Sequence, residues 1–113
     1  MDFKRLVEEA RKRGICIVVD YVPNHSNPAS DGEFGGALYD NGTEVTDYFR
    51  DAKNASVNPI TGIRENVYHH NGNIFVWSGI QLKYANLYGL ADFNQLNPWV
   101  DSYLTEGGEA LHR

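Results

Sequence analysis

Cys16 is the only cysteine in the chain, which excludes a disulfide framework within it. It lies inside the apolar run ICIVVDYV, where a small buried hydrophobe is expected, not a nucleophile. No apolar stretch approaches the length of a membrane span, and the N-terminus reads as an amphipathic helix without the layout of a signal peptide. Positive charge is scarce too: 10 Lys and Arg stand against 15 Asp and Glu, for a net charge of −5. The one basic cluster, Arg11 to Arg13, falls at a helix end, where cations complement the dipole. Neither a nucleic-acid partner nor a membrane is expected on this balance. A glycine-rich turn from strand to helix is also missing, which removes a small nucleotide binder of the Rossmann type. With 113 residues, one modest domain is the ceiling.

What is present falls into three unequal zones. DFKRLVEEARKRG places Phe3, Leu6, Val7 and Ala10 at helical spacing, with Asp2 to cap the start and Gly14 to end it, so a helix with one buried stripe is expected. ICIVVDYV, residues 15 to 22, is rich in β-branched residues and apolar on both faces, as a parallel strand covered on two sides should be. Helix, glycine turn and two-sided strand make half of a βαβ repeat. From Asn24 to about Asn86 the pattern dissolves into Gly, Asn, Asp, Ser and Pro, with short strands expected at Val67 to His69 and Ile74 to Trp77. An excursion of this length exceeds a plain connection and is usually functional. Helix then resumes in NPWVDSYLTEGGEALHR, with Asn97 as cap, Pro98 in the first turn, and Val100, Tyr103, Leu104 and Leu111 on one face. Gly107 and Gly108 weaken that helix by roughly 1 kcal/mol each relative to Ala.

The apolar run ends in DYVPNH, which sends Asn24 and His25 out together at a strand's carboxyl end, where ligands gather in parallel α/β proteins. Joined to ALYDNGTEV and to NLYGLADFNQLNPWVDSYL, this segment resembles the alpha-amylase superfamily of glycoside hydrolases (family 13), nearest to cyclodextrin glucanotransferases and maltogenic amylases, over essentially the whole chain. The resemblance implies an α/β fold: a partial (β/α)8 TIM-barrel segment of helix, strand 3 and following helix, with an inserted irregular, β-containing domain B. Residues 1–25 would be barrel helix and strand 3, 26–92 the domain B-like insertion, and 93–113 the following barrel helix. The parent would be secreted and would act on α-glucans such as starch and maltooligosaccharides by a retaining mechanism.

The resemblance also assigns residues. Asn24 would give an amide oxygen to a structural Ca2+, Asp92 a carboxylate, and Lys83 its backbone carbonyl; calcium takes six to eight hard oxygen ligands, so a shared site would fasten barrel to domain B. A lone Asn at a turn would otherwise bond its own backbone. His25 would donate a hydrogen bond to the sugar where the glycosidic bond breaks, strengthening as the transition state forms. Tyr88 would be the large aromatic around which a glucan chain wraps, with ordinary packing as the alternative, and Asn86 a more distant sugar contact. Gly89 departs from the family, which usually has Asp there. His69 and His70 suggest a metal pair, but adjacent residues on an extended segment face opposite ways, which favours a structural role. Asp20 is expected as a buried, paired acid.

Retaining glycosidases need two carboxyl groups about 5 Å apart. The family takes both from later barrel strands. The acids Glu8, Glu9, Asp31, Glu33, Asp40, Glu44, Asp47, Asp51 and Glu65 have no matching context, so no catalytic acid is expected in this segment, and the chain alone should be inactive. Without the remainder of the barrel as partner, the edges of strand 15 to 22 should drive self-association. The alternative reading is a stand-alone, non-catalytic module that binds carbohydrate or calcium.

Overall fold

The computed structural model describes residues 2–30, 36–40 and 42–107, with side chains through 105. Helix α1 spans Phe3–Lys12. Its start is fixed as the sequence implies, the Asp2 carboxylate accepting from Arg5 N at 2.8 Å. At its end Lys12 and Arg13 both reach Glu9 at 2.9 Å, which holds the Glu9 carboxyl below the usual range, and Gly14 turns the chain at φ +71°. The stripe is another matter. Of its members only Ala10 is buried; Phe3, Leu6 and Val7 are 37–42% exposed, because among the described residues nothing packs over them.

The apolar run corrects three expectations. Residues 15–22 are extended but make no strand pairing among the described residues, and Val18 is 88% exposed. Cys16 is exposed, not buried, and Asp20 is exposed likewise. A strand is defined by its neighbours, and an apolar pattern cannot supply them. The Cα radius of gyration, 16.4 Å, exceeds the ~13 Å typical of a compact chain this long, which fits an N-terminal arm held away from the rest.

Packing is concentrated instead in the excursion. Strand β1 (His25–Pro28) pairs antiparallel with β6 (Leu90–Asp92), β2 (Ala37–Asp40) with β3 (Thr43–Asp47), and β4 (Ser56–Val57) with β5 (Arg64–Glu65). The β2–β3 hairpin places Asp40 opposite Thr43, with Gly42 in the turn at φ +73°, a conformation glycine adopts without strain. Helix α2 (Tyr48–Asn54) follows at once, its first N–H groups capped by Asp47. Short helices α3 (Gly79–Tyr84) and α4 (Pro98–Ser102) complete the set. The chain is thus a small α/β fold with short strands.

Leu38, Tyr68, Ala91, Phe93 and Val100 form the core, drawn from the excursion and from the segment that follows it, with Tyr68 and Phe93 stacked at 5.3 Å. The fully buried Tyr68 hydroxyl donates to the Gly36 carbonyl at 2.8 Å, and burial pushes its ionisation well up. Gly36 is required there: φ is +60°, and a Cβ would sit 2.9 Å from that of Tyr48.

Neither expected strand inside the excursion forms. Tyr68 and His69 make only isolated bridges, to Phe93 and Glu65. At residues 74–77 the Gln81 side-chain oxygen takes the N–H groups of both Phe75 and Val76, so no ladder can use them. The last helix is shorter than expected as well. Asn97 caps it through Trp99 N at 2.9 Å and Val100 is buried, but after Ser102 it widens into a π-helical turn over Tyr103–Gly107. Leu111 and Gly108 lie outside the described residues.

Candidate functional site

Pairing of β1 with β6 brings DYVPNH and LADFN together. His25 lies directly opposite Asp92, and Phe93 N donates to the Asn24 carbonyl at 3.1 Å. Asn24, His25 and Asp92 therefore share one spot. The Asn24 amide nitrogen lies 3.2 Å from His25 Nδ1. An amide nitrogen can only donate, so the neutral ring carries its proton on Nε2, where it can donate to a ligand. The same contact leaves the Asn24 side-chain oxygen for other partners.

Asp92 is held from several sides. Its carboxylate Oδ2 lies 2.7 Å from His69 Nδ1, its carbonyl accepts from His69 N, and its own N–H reaches the Asn86 side-chain oxygen at 3.2 Å. The other face of the His69 ring meets Glu65 at 3.6 Å. Burial pushes the Asp92 carboxyl up from its ordinary value, and the hydrogen bond and charge of His69 oppose that shift. A desolvated carboxylate of this kind gains from a nearby cation.

Asn86, expected at a sugar, is 4% exposed, and both ends of its amide are engaged, the nitrogen donating to the Tyr48 hydroxyl at 3.1 Å. Lys83 lies in the last turn of α3, where carbonyls lack partners inside the helix. Those of Gln81 and Tyr84 accept from Ala85 N and Asn71 Nδ2, whereas the Lys83 carbonyl takes no hydrogen bond among the described residues. Tyr88 is 82% exposed, adopts φ +50°, and rests against Trp77 with ring centroids 5.7 Å apart.

His69 and His70 do turn to different partners. While His69 serves Asp92, His70 Nε2 lies 2.8 Å from the Asp51 carboxylate. Asp51 is 2% exposed and also accepts from Asn66 Nδ2, Val67 N and Tyr68 N at 2.8, 3.3 and 3.0 Å. Sequence reasoning missed this knot. In DYFRDAKN, Asp51 reads as one more acid without context, and only its partners across the fold reveal its place. No group of three or more His, Cys, Asp or Glu side chains suited to a metal occurs among the described residues. A site built from one carboxylate, one amide and a carbonyl would not form such a group. Those donors are hard oxygens, the kind calcium takes.

The chain as a whole has counterparts among known proteins. No family model matches the chain. Its relatives nevertheless agree with one another, and the matches fit a fragment of the alpha-amylase family. It is 40% identical over 110 residues to a cyclomaltodextrin glucanotransferase of Geobacillus stearothermophilus, covering 93% of this chain and 14% of that protein. An alpha-amylase of Niallia circulans is 38% identical over 106 residues, covering 90% and 18%. Among solved structures, CldA, described as the first cyclomaltodextrin glucanotransferase with a three-domain ABC distribution, superposes with a TM-score of 0.67 at 34% identity, over 92% of this chain and 20% of that one. The chain thus spans about a seventh of the length of the first of these relatives.

Proposed function

We propose that the chain forms the calcium-holding and sugar-contacting part of an α-glucan hydrolase or glucanotransferase. The observation that carries this reading is the β1–β6 pairing, which sets His25 and Asn24 beside Asp92. Asn24 through its amide oxygen, Asp92 through its carboxylate and Lys83 through its carbonyl would hold Ca2+, whose role is to join the two segments they come from. Beside it, His25 offers Nε2–H to the sugar at the scissile bond, and Tyr88 offers an exposed ring to the glucan. Asn86, buried beneath Asp92, holds the backbone of that acid in place and does not touch sugar itself. In this reading residues 1–25 and 93–113 are barrel and 26–92 are domain B. The unpaired run at 15–22 and the bare face of α1 are surfaces that the remaining barrel covers, or that self-association covers in its absence. The parent is secreted, and its catalytic acids lie on other barrel strands.

The 113-residue chain should show no turnover of starch, maltooligosaccharides or cyclodextrins with calcium present. Activity above a mock purification would refute the absence of catalytic acids. In an intact parent, Tyr88→Ala should shift the ratio of transfer or cyclisation to hydrolysis while leaving the melting temperature unchanged, since the ring is 82% exposed. An unchanged product ratio would leave Tyr88 without a role in guiding glucan.

A further inference from the structure

Two buried acids of the chain are held in different ways. Asp51, 2% exposed, has both oxygens satisfied: Asn66 Nδ2 and Val67 N donate to Oδ1, Tyr68 N donates to Oδ2, and His70 Nε2 lies 2.8 Å from Oδ2. That is a carboxylate kept for the fold. Asp92, 3% exposed, has one side-chain hydrogen bond, between Oδ2 and His69 Nδ1 at 2.7 Å, and its Oδ1 takes none among the described residues. A carboxylate left half-satisfied out of water costs the fold free energy unless a further donor or charge arrives.

His69 decides which half stays open. Its Nδ1 must carry the ring proton to donate to a carboxylate. Glu65 lies 3.6 Å from Nε2, past hydrogen-bond range, so Asp92 alone fixes the ring by a hydrogen bond. Two further contacts stop the ring from turning away. His69 N donates to the Asp92 carbonyl at 2.9 Å, and the ring stands edge-on to that of Tyr84, with centroids 5.1 Å apart and planes at 80°. Tyr84 follows Lys83 at the end of α3, and Asn71, two residues beyond His69, donates from Nδ2 to the Tyr84 carbonyl at 2.9 Å. One short segment thus grips both the acid and the helix end that carries the Lys83 carbonyl.

We propose that His69 is a positioning residue for the calcium site: by holding Oδ2 of Asp92 it leaves Oδ1 for the ion, and by packing on Tyr84 it steadies the helix end that offers the Lys83 carbonyl. His69 itself does not touch the ion. The inference rests on the calcium reading of Asn24, Asp92 and Lys83 and adds the residue that prepares two of those donors. Outer partners that lock a ligand's orientation change metal affinity roughly ten- to a hundredfold when removed.

Calcium calorimetry on the intact parent, stripped of metal with chelator, tests this. His69→Phe keeps a ring against Tyr84 and removes the donor, so its calcium affinity should fall about tenfold or more. His69→Asn places an amide nitrogen close to where Nδ1 stood and should recover most of that loss. A histidine serving the fold alone would behave otherwise: both variants would melt lower in chelator while keeping the wild-type calcium dissociation constant. That result, or calcium affinity in His69→Phe equal to or tighter than wild type, would overturn the proposal while the calcium reading stands. Should His69→Phe fail to fold, His69→Gln takes its place, because its longer amide puts the nitrogen near Nε2 and cannot mimic Nδ1. Equal calcium affinity in the two amide variants would then be the refuting result. Calcium binding absent from wild type, or undiminished in Asp92→Ala, would remove the calcium reading and this proposal together.

Discussion

Asp51→Ala should lower stability by about 3 kcal/mol, since it strands several buried hydrogen-bond donors that each cost about 1–3 kcal/mol when unpaired. Both sides of the pair are out of water, the His70 and Asp51 side chains being 3% and 2% exposed. Deleting the carboxylate strands the N–H groups of Val67 and Tyr68 and the Asn66 amide together with the His70 ring. Asp51→Asn should be nearly as damaging. Oδ1 accepts from Val67 N and Oδ2 from Tyr68 N, so whichever way the amide is turned its NH2 group meets a backbone donor. Asp47→Ala makes the comparison: it sits one helical turn away, removes a cap and a solvent-exposed ion pair with Arg50 at 3.5 Å, and should cost about 1 kcal/mol. Urea denaturation of the three variants tests the order. Equal midpoints for Asp47→Ala and Asp51→Ala would mean that the buried knot contributes no more than a surface cap.

The knot explains why so much of the middle of the chain was illegible beforehand. Local signals are legible where the physics is local: the Asp2 cap, the Gly14 stop and the Asn97 cap each act within a few residues. The excursion has no such periodicity because its stability comes from side chains standing in for secondary structure. Gln81 consumes the N–H groups that strand 74–77 would have used, and Asp51 consumes those of Val67 and Tyr68. Neither acceptor carries a mark in the sequence. The opposite failure occurs at residues 15–22, where the pattern promises a strand and a buried Cys16 but the neighbours that would bury them are not among the described residues. At the candidate site, the motifs name Asn24, His25 and Asp92, and the β1–β6 register brings their segments together. The dependence of Asp92 on His69 was out of reach, since only the fold brings the ring to within 2.7 Å of the carboxylate.

Calcium should raise the melting temperature of the intact parent, and Asn24→Ala or Asp92→Ala should abolish that rise. A ligand that binds only the folded state stabilises it by RT ln(1 + [L]/Kd), about 2.7 kcal/mol at a hundredfold excess over Kd. Losing one of six to eight oxygen donors, and with Asp92 the negative charge as well, weakens affinity enough to remove most of that gain. The variants should differ without calcium. Asp92 is buried, with its carboxyl pushed up by desolvation, so its ionised form is a burden on the metal-free fold. For a carboxyl raised in the folded state, stability is greatest below the unfolded value, near 3.8, and declines as pH climbs through the raised one. Once that carboxyl is ionised, the metal-free wild type carries the penalty. Asp92→Asn, which keeps the shape and removes the charge, should in consequence match or exceed wild type in chelator at pH 7 and fall below it when calcium is added. Asn24→Ala, at an exposed position, should follow wild type in chelator and fall behind only with calcium. Thermal melts in calcium and in chelator separate these cases. A calcium-induced rise in both Asn24→Ala and Asp92→Ala equal to that of wild type would place the ion elsewhere.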